Sequence, residues 1–208
     1  MLATVGTMAS SSADLLKAQT AQAFATAVTA LDDMTADEYW WEPHPGAWSV
    51  RPRNVATDGW GTGSHVCEDT WPPPTPVPIT TIAWRVCHLA AWTDVYDNFT
   101  FGDCTASLDG MEVPTSVEAG VQWVRDTQQR FIANIDEMSD DDIGDLRPVH
   151  WGDRLAAGRI VSMMIAEHVH HLAEIALLRD LHRGSARFQD EPPTPAGPDR
   201  WAQLRIDR

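Results

Sequence analysis

Residues 160–178, with the sequence IVSMMIAEHVHHLAEIALL, decide the fold. Their apolar side chains recur every three or four positions, as in an amphipathic helix. At 100° per residue, one stripe contains Ile160, Met164, Glu167, His171 and Leu178 within about 60° of one another. Glu167 and His171 therefore lie one turn apart in the middle of an apolar stripe. Because burying such groups is costly, this helix needs a polar partner or a metal ion on the element that faces it.

Three more segments have helical periodicity. We predict helices over residues 12–34, 81–101 and 116–138, and place the helix quoted above over residues 156–183, ending before Gly184. Ser11, Ser12 or Asp14 is expected to cap the first helix. Thr115 and Glu118 have the capping-box spacing at the start of the third. No segment has a convincing strand pattern, so the sequence predicts an all-α four-helix bundle.

The bundle is predicted to form one domain over residues 12–183, with two segments of different composition. Residues 35–80, which we call the Trp-rich segment, join the first two helices and are rich in Pro, Gly and Trp. A loop this long is uncommon without a role, and we expect it to fold over one end of the bundle. Residues 184–208 are a proline-rich C-terminal tail with Trp201 as its obvious anchor.

The predicted second helix offers the polar partner. His88 lies in the middle of its apolar stripe. With Glu167 and His171 it forms a two-histidine, one-carboxylate set, which suits zinc or ferrous iron and leaves positions open for water or substrate. The alternative is a buried polar cluster in which Glu167 bonds both histidines without a metal.

Other histidines are expected to play smaller parts. His168 and His171 are three residues apart, and His170 and Glu174 are four apart, so both pairs compete with the central set. His168 and His170 fall on the flanks of the stripe. There they would either contact the ligands and orient them, as Glu174 would, or lie on the surface. The remaining histidines lie in loops or at a helix end and are expected to be mostly solvated: His44, His65, His150 and His182.

Charge and cysteine content exclude several classes of protein. Asp and Glu number 30 against 15 Lys and Arg, and a net charge of -15 disfavours binding to nucleic acid or to anionic membranes. No run approaches the roughly 18 apolar residues of a membrane span, and the N-terminus does not resemble a signal peptide.

Three cysteines without CxxC spacing indicate a cytoplasmic protein with free thiols, with a Cys67–Cys104 disulfide as the alternative. Cys87 points away from His88 and is expected to be a core thiol.

Two motifs carry a family resemblance. Residues 80–89 (TTIAWRVCHL) and 167–175 (EHVHHLAEI) resemble the second-helix and fourth-helix motifs of the DinB-like superfamily. Residues 39–43 (YWWEP) and 46–51 (GAWSVR) are similar to the loop of one uncharacterised branch. The glutamate at 167, where many members have histidine, resembles mycothiol-dependent maleylpyruvate isomerase-type proteins.

The resemblance implies a fold, a metal and a chemistry. It implies a four-helix bundle that holds one divalent metal, zinc first and nickel or iron as alternatives, through His88, Glu167 and His171. It also implies a low-molecular-weight thiol such as mycothiol as co-substrate and a small electrophile as substrate. Arg85 would bind an anionic substrate or form a salt bridge with a neighbouring helix. Three tryptophans would wall the pocket or simply fill the core: Trp84, Trp92 and Trp151.

The sequence is therefore compatible with three functions. They are a metal-dependent thiol transferase or isomerase, a non-catalytic metal-binding stress or detoxification protein, and a ferrous enzyme that uses the same three ligands.

The fourth helix also has a second apolar stripe, which needs a cover. Val161, Ile165, Val169, Leu172 and Ala176 form this stripe on the side away from Glu167. We expect the Trp-rich segment to cover it, slightly ahead of a second copy of the chain in a homodimer, and the C-terminal tail is a further candidate.

Overall fold

The computed structural model describes residues 11–56 and 58–190, and in this part of the chain it has six helices and two small sheets. The helices are α1 (Ser12–Leu31), α2 (Ala36–Trp40), α3 (Ile82–Phe101), α4 (Val117–Asp136), α5 (Asp140–Ile143) and α6 (Ala157–Asp190). The strands are β1 (Val50–Pro52), β2 (His65–Cys67), β3 (Leu146–Pro148) and β4 (Arg154–Ala156). The protein is thus all-α, as predicted.

Four long helices form the bundle. Helix α3 packs chiefly on α4, and α1 packs chiefly on α6, while contacts of α3 with α6 and of α1 with α4 close the ring. Side-chain caps start these helices: Ser11 Oγ accepts the amide of Asp14, and Thr81 Oγ1 accepts the amide of Trp84. The cap of α4 is Ser116, which accepts the amide of Ala119, so the capping box predicted from Thr115 is wrong by one residue.

Two apolar clusters fill the bundle. One contains Phe24, Phe131, Ile160 and Met164. The other joins α3 and α4 to the Trp-rich segment and to residues 172–178 of α6. Cys67 and Cys87 are buried and Cys104 is partly exposed, and all three are free, so the alternative Cys67–Cys104 disulfide is absent. None of the described helices combines the length and apolarity that a membrane crossing requires.

Two details of the C-terminal half of the chain differ from the sequence-based prediction. Helix α6 continues through Gly184 to Asp190, because a glycine inside a helix weakens it without ending it. The connection between α5 and α6 contains an antiparallel hairpin, in which Arg147 pairs with Leu155, although the sequence has no clear strand pattern there. Strands of three residues are too short to produce recognisable alternation. The rest of the tail, including Trp201, lies outside the described residues.

The Trp-rich segment is structured and packs on the start of α3. It contains α2 and the antiparallel pair β1–β2, and both strands contact α3. The indole of Trp84 donates to the carbonyl of Glu68, and its ring stacks on that of Trp48 with centroids 6.3 Å apart. Trp71 differs from the other tryptophans of the segment, since it is 91% exposed.

The second apolar stripe of α6 is covered mainly by α1, so the prediction that the Trp-rich segment covers it is wrong. Val161 and Leu172 are buried in the same clusters as Ala23 and Ala27 of α1. Val169 stays 56% exposed, beside a groove whose described walls come from α1 and α6 alone. The Trp-rich segment packs on α3 instead, and among the described contacts it meets α6 only near the C-terminal end of that helix, through α2 and Trp41, away from this stripe.

Candidate metal centre

Packing of α3 against α6 brings His88, Glu167 and His171 together. The Nε2 atom of His171 lies 3.3 Å from Glu167 Oε2, and the Nε2 atom of His88 lies 3.9 Å from the same oxygen. One ligand atom from each residue lies within 4.8 Å of the other two. The central positions on two apolar stripes therefore face each other.

The spacing of these atoms fits a divalent metal. In a tetrahedral zinc site with bonds of about 2.1 Å, ligand atoms lie about 3.4 Å apart. The two distances to Glu167 Oε2 lie on either side of this value. Two imidazoles and one carboxylate also form the donor set that zinc and ferrous iron both accept.

The cluster is enclosed on the histidine side and open on the glutamate side. The side chains of His88 and His171 are 18% and 10% exposed, whereas that of Glu167 is 48% exposed. Trp84 stacks on His88 with ring centroids 4.6 Å apart, and Trp92 meets the same imidazole edge-on at 6.2 Å. A small molecule therefore has access to the cluster from the side of Glu167.

The protonation states suit metal binding. Hydrogen bonding to His171 and then to His88 holds the pKa of Glu167 well below its usual value, against the opposing effect of partial burial. Burial lowers the pKa of His88 and favours the neutral imidazole. An ionised carboxylate and a neutral imidazole are the forms that ligate a metal.

His171 is oriented by a carboxylate behind it. Its Nδ1 atom lies 2.8 Å from Glu174 Oε2, and a ring that donates from Nδ1 to this carboxylate would offer the lone pair of Nε2 to a metal ion. Arg85 donates to the same oxygen of Glu174 and lies with its Nη1 atom 3.2 Å from His171 Nδ1. Burial lowers the pKa of Arg85, while the charge of Glu174 opposes this shift. Arg85 thus forms the interhelical salt bridge, the second of its two predicted roles.

A comparison with known protein families identifies the family of the chain. The family model of the DinB superfamily matches residues 68–175, more than half of the 208-residue chain. The chain belongs to the DinB superfamily. No curated protein matches the sequence.

The DinB match covers the helical motifs and the three candidate ligands. It includes α3, α4 and the part of α6 that carries Glu167 and His171. Residues 39–51, which resemble the loop of one branch, lie outside the match. Membership of the DinB superfamily is therefore shown, whereas the likeness to maleylpyruvate isomerase-type proteins stays a prediction.

The structure separates the other candidate residues. Trp84 and Trp92 contact His88, but the contacts of Trp151 are with His150 and Tyr96, and its indole donates to Asp153. Trp151 is 47% exposed and, among the described contacts, touches none of the three candidate ligands. Trp151 lies just before the start of α6 in the sequence, and nothing in that position predicts that the β3–β4 turn places it away from the three candidate ligands.

His168 is a core residue, so the surface position that the sequence offered as one of two alternatives is wrong. It is fully buried, stacks on Phe24 of α1 with centroids 4.0 Å apart, and its Nδ1 atom lies 2.8 Å from the carbonyl oxygen of Met164. Burial lowers its pKa to about 4. The 100° step from Glu167 points His168 toward α1, away from the candidate centre.

A second, overlapping group contains His170, His171 and Glu174. His170 is 65% exposed, and its Nε2 atom lies 3.4 Å from Glu174 Oε1. This group uses the Nδ1 side of His171, whereas the group with His88 uses Nε2. The described residues contain no third such group.

Sequence analysis missed a cavity of about 460 Å³ next to the centre. Trp92 lines it together with Asp58, Asp69 and Asp109. These carboxylates come from two loops, and the available signal was the alternation of acidic and aromatic residues between Asp58 and Trp71.

Proposed function

We propose that this DinB protein binds one divalent metal, zinc in the first instance, through His88, Glu167 and His171, and catalyses transfer of a low-molecular-weight thiol to a small electrophile. The convergence of two Nε2 atoms and one carboxylate oxygen at a partly open site carries the proposal. The glutamate in the family's motif supports the choice of thiol chemistry.

The residues around the site have distinct roles in this proposal. A bound divalent metal would supply Lewis acidity, which generates a thiolate at neutral pH. Glu167 adds a negative charge on the open side, and Glu174 holds the ring of His171 in position. Trp84 covers one face of His88 and excludes water from it. Arg85 is engaged by Glu174, which leaves substrate recognition to other groups.

Two single substitutions distinguish the two overlapping groups. His88→Ala removes a ligand from the proposed centre, and His170→Ala removes one from the exposed group. We expect His88→Ala to lose the stoichiometric zinc that calorimetric titration finds in the wild type, and His170→Ala to keep it. The opposite result would place the metal on His170, His171 and Glu174, and equal binding in both variants would reject the proposed ligands.

Thiol consumption tests the reaction itself. Metal-loaded protein is mixed with mycothiol, bacillithiol or glutathione and an electrophile that retains the thiol, such as chlorodinitrobenzene, which forms a thioether and releases chloride. We expect thiol loss above background with the wild type and none with His88→Ala. If zinc binds at one per chain and no thiol is consumed with zinc, nickel, manganese or iron, the reaction is wrong and the metal-binding protein is the better interpretation.

A further inference from the structure

The cavity beside Trp92 has walls of an unusual kind. Aromatic rings of Trp60, Trp71, Trp92 and Phe99 line it, together with the carboxylates of Asp58, Asp69 and Asp109. No ion pair joins any of these three carboxylates to a basic side chain within residues 11–56 and 58–190. The cavity therefore combines negative charge with aromatic faces.

The carboxylates of Asp58 and Asp69 lie close enough for the charge of one to act on the other. Burial raises the pKa of Asp69, and the charge of Asp58 raises it further. His150 also lines the cavity, but burial lowers its pKa, so at neutral pH the imidazole provides no compensating positive charge. A cation in the cavity would relieve this repulsion.

The arrangement disfavours a metal ion as that cation. Among the described residues, only the two histidine-containing groups have ligand atoms that converge as a metal requires, and none of these aspartates belongs to them. The negative charges are spread along the wall rather than directed at one point. An extended organic cation suits such a wall, since aromatic faces attract alkylammonium groups.

Two tryptophans indicate that the cavity holds a ligand. The ring of Trp71 is 91% exposed, although large aromatic side chains seldom lie so open without a contact to make. Trp60 is only 5% exposed, and its indole Nε1 has no hydrogen-bond partner in the described part of the chain. This nitrogen is itself buried, so the ring of Trp60 can offer a ligand only an aromatic surface.

We propose that this cavity binds a small organic cation, an alkylated ammonium group on an apolar body. The aspartates attract the nitrogen, and Trp71 and Trp92 provide the aromatic faces. The inference goes beyond the metal chemistry, because it requires neither a bound metal nor thiol transfer. Trp92 also contacts His88, so the ligand would lie one side chain away from the candidate centre.

Choline and its uncharged isostere 3,3-dimethyl-1-butanol test the proposal. Both are titrated calorimetrically into metal-free protein at low salt. We expect saturable 1:1 binding of choline and at least about tenfold weaker binding of the isostere, as expected for a desolvated cation–aromatic contact. Equal binding of the two compounds, or no saturable binding of choline, would overturn the proposal.

Three variants locate the binding site. Asp69→Asn and Trp71→Ala should each weaken choline binding by about fivefold to tenfold. Asp136→Asn removes the same charge from an exposed position on α4 and should leave binding unchanged. Circular dichroism checks that each variant is folded. If Asp136→Asn weakens binding as much as Asp69→Asn, the effect comes from net charge and the cavity is not the site. Because the protein is metal-free, failure here leaves the zinc titration of His88→Ala unaffected.

Discussion

The carboxylate of Glu174 shows how a residue outside the proposed ligand set acts on the site. It accepts the Nδ1 proton of His171 and is itself held by Arg85 from the facing helix. Carboxylates in this position fix the tautomer of a ligating histidine and raise its basicity. The orientation of His171 therefore depends on an ion pair between α3 and α6.

We predict that Glu174→Gln weakens zinc binding by about tenfold to a hundredfold and retains one zinc per chain, because the amide orients His171 without its charge. Glu167→Gln should be more damaging, since it removes a ligand. Competition with a chelator measures both affinities, and Glu137→Gln, an exposed glutamate on another face, is the control. If Glu174→Gln abolishes binding while Glu167→Gln retains it, the group with His170 is the site.

At the scale of elements, a buried ion pair fastens α2 to α6 and to the end of α1. The side chain of Arg179 donates to the carbonyls of Ala30 and Asp32 and pairs with Glu38, which Arg183 also contacts. Burial raises the pKa of Glu38, but the amide of Thr35 and the two arginines outweigh it and bring the pKa below the ordinary value. Ionised Glu38 therefore contributes to stability.

This pair predicts a pH dependence of stability. Because the pKa of Glu38 is lower in the folded chain than in the unfolded chain, its contribution is complete above about pH 4.5 and is lost as the pH falls through the folded value. We expect Glu38→Gln to lower the free energy of unfolding at pH 7 and to differ less from the wild type at pH 4. Urea unfolding at both values measures this, with Glu137→Gln as control. A difference that stays constant or grows on acidification would contradict the prediction.

At the scale of the whole molecule, α6 leaves apolar side chains in contact with solvent. Val169 is 56% exposed and lines the groove between α1 and α6, and Leu177 of the same helix is 58% exposed. A groove with exposed apolar walls is often an interface, and two-fold dimers are the commonest assemblies of soluble proteins. With the Trp-rich segment placed elsewhere, a second copy of the chain is the cover that we now expect.

Light scattering checks this expectation against the chain mass of 23.0 kDa. We predict twice this mass for the wild type and the single-chain mass for Val169→Asp, with the helical circular dichroism retained. Leu146→Asp changes a side chain of matched exposure, 57%, on β3, away from the groove, and should remain dimeric. A wild type with the mass of one chain would rule out the dimer.

Local sequence patterns determined the helices and the direction of their polar side chains. The 3.6-residue period and the caps at Ser11 and Thr81 follow from interactions within a few residues, so they can be recognised without the rest of the chain. The same arithmetic placed Glu167 and His171 on one stripe and His88 on another. The all-α bundle was predictable for that reason.

Only the tertiary structure decided which neighbour each side chain meets. Helical spacing gives the direction of His168 about its own axis, but packing of α1 put Phe24 there and buried the ring. The link from Arg85 through Glu174 to His171 depends on how α3 lies against α6. The cavity beside Trp92 joins side chains from distant parts of the chain, so no local pattern encodes it. Sequence periodicity specifies angles within an element, whereas contacts between elements depend on burial summed over the whole molecule.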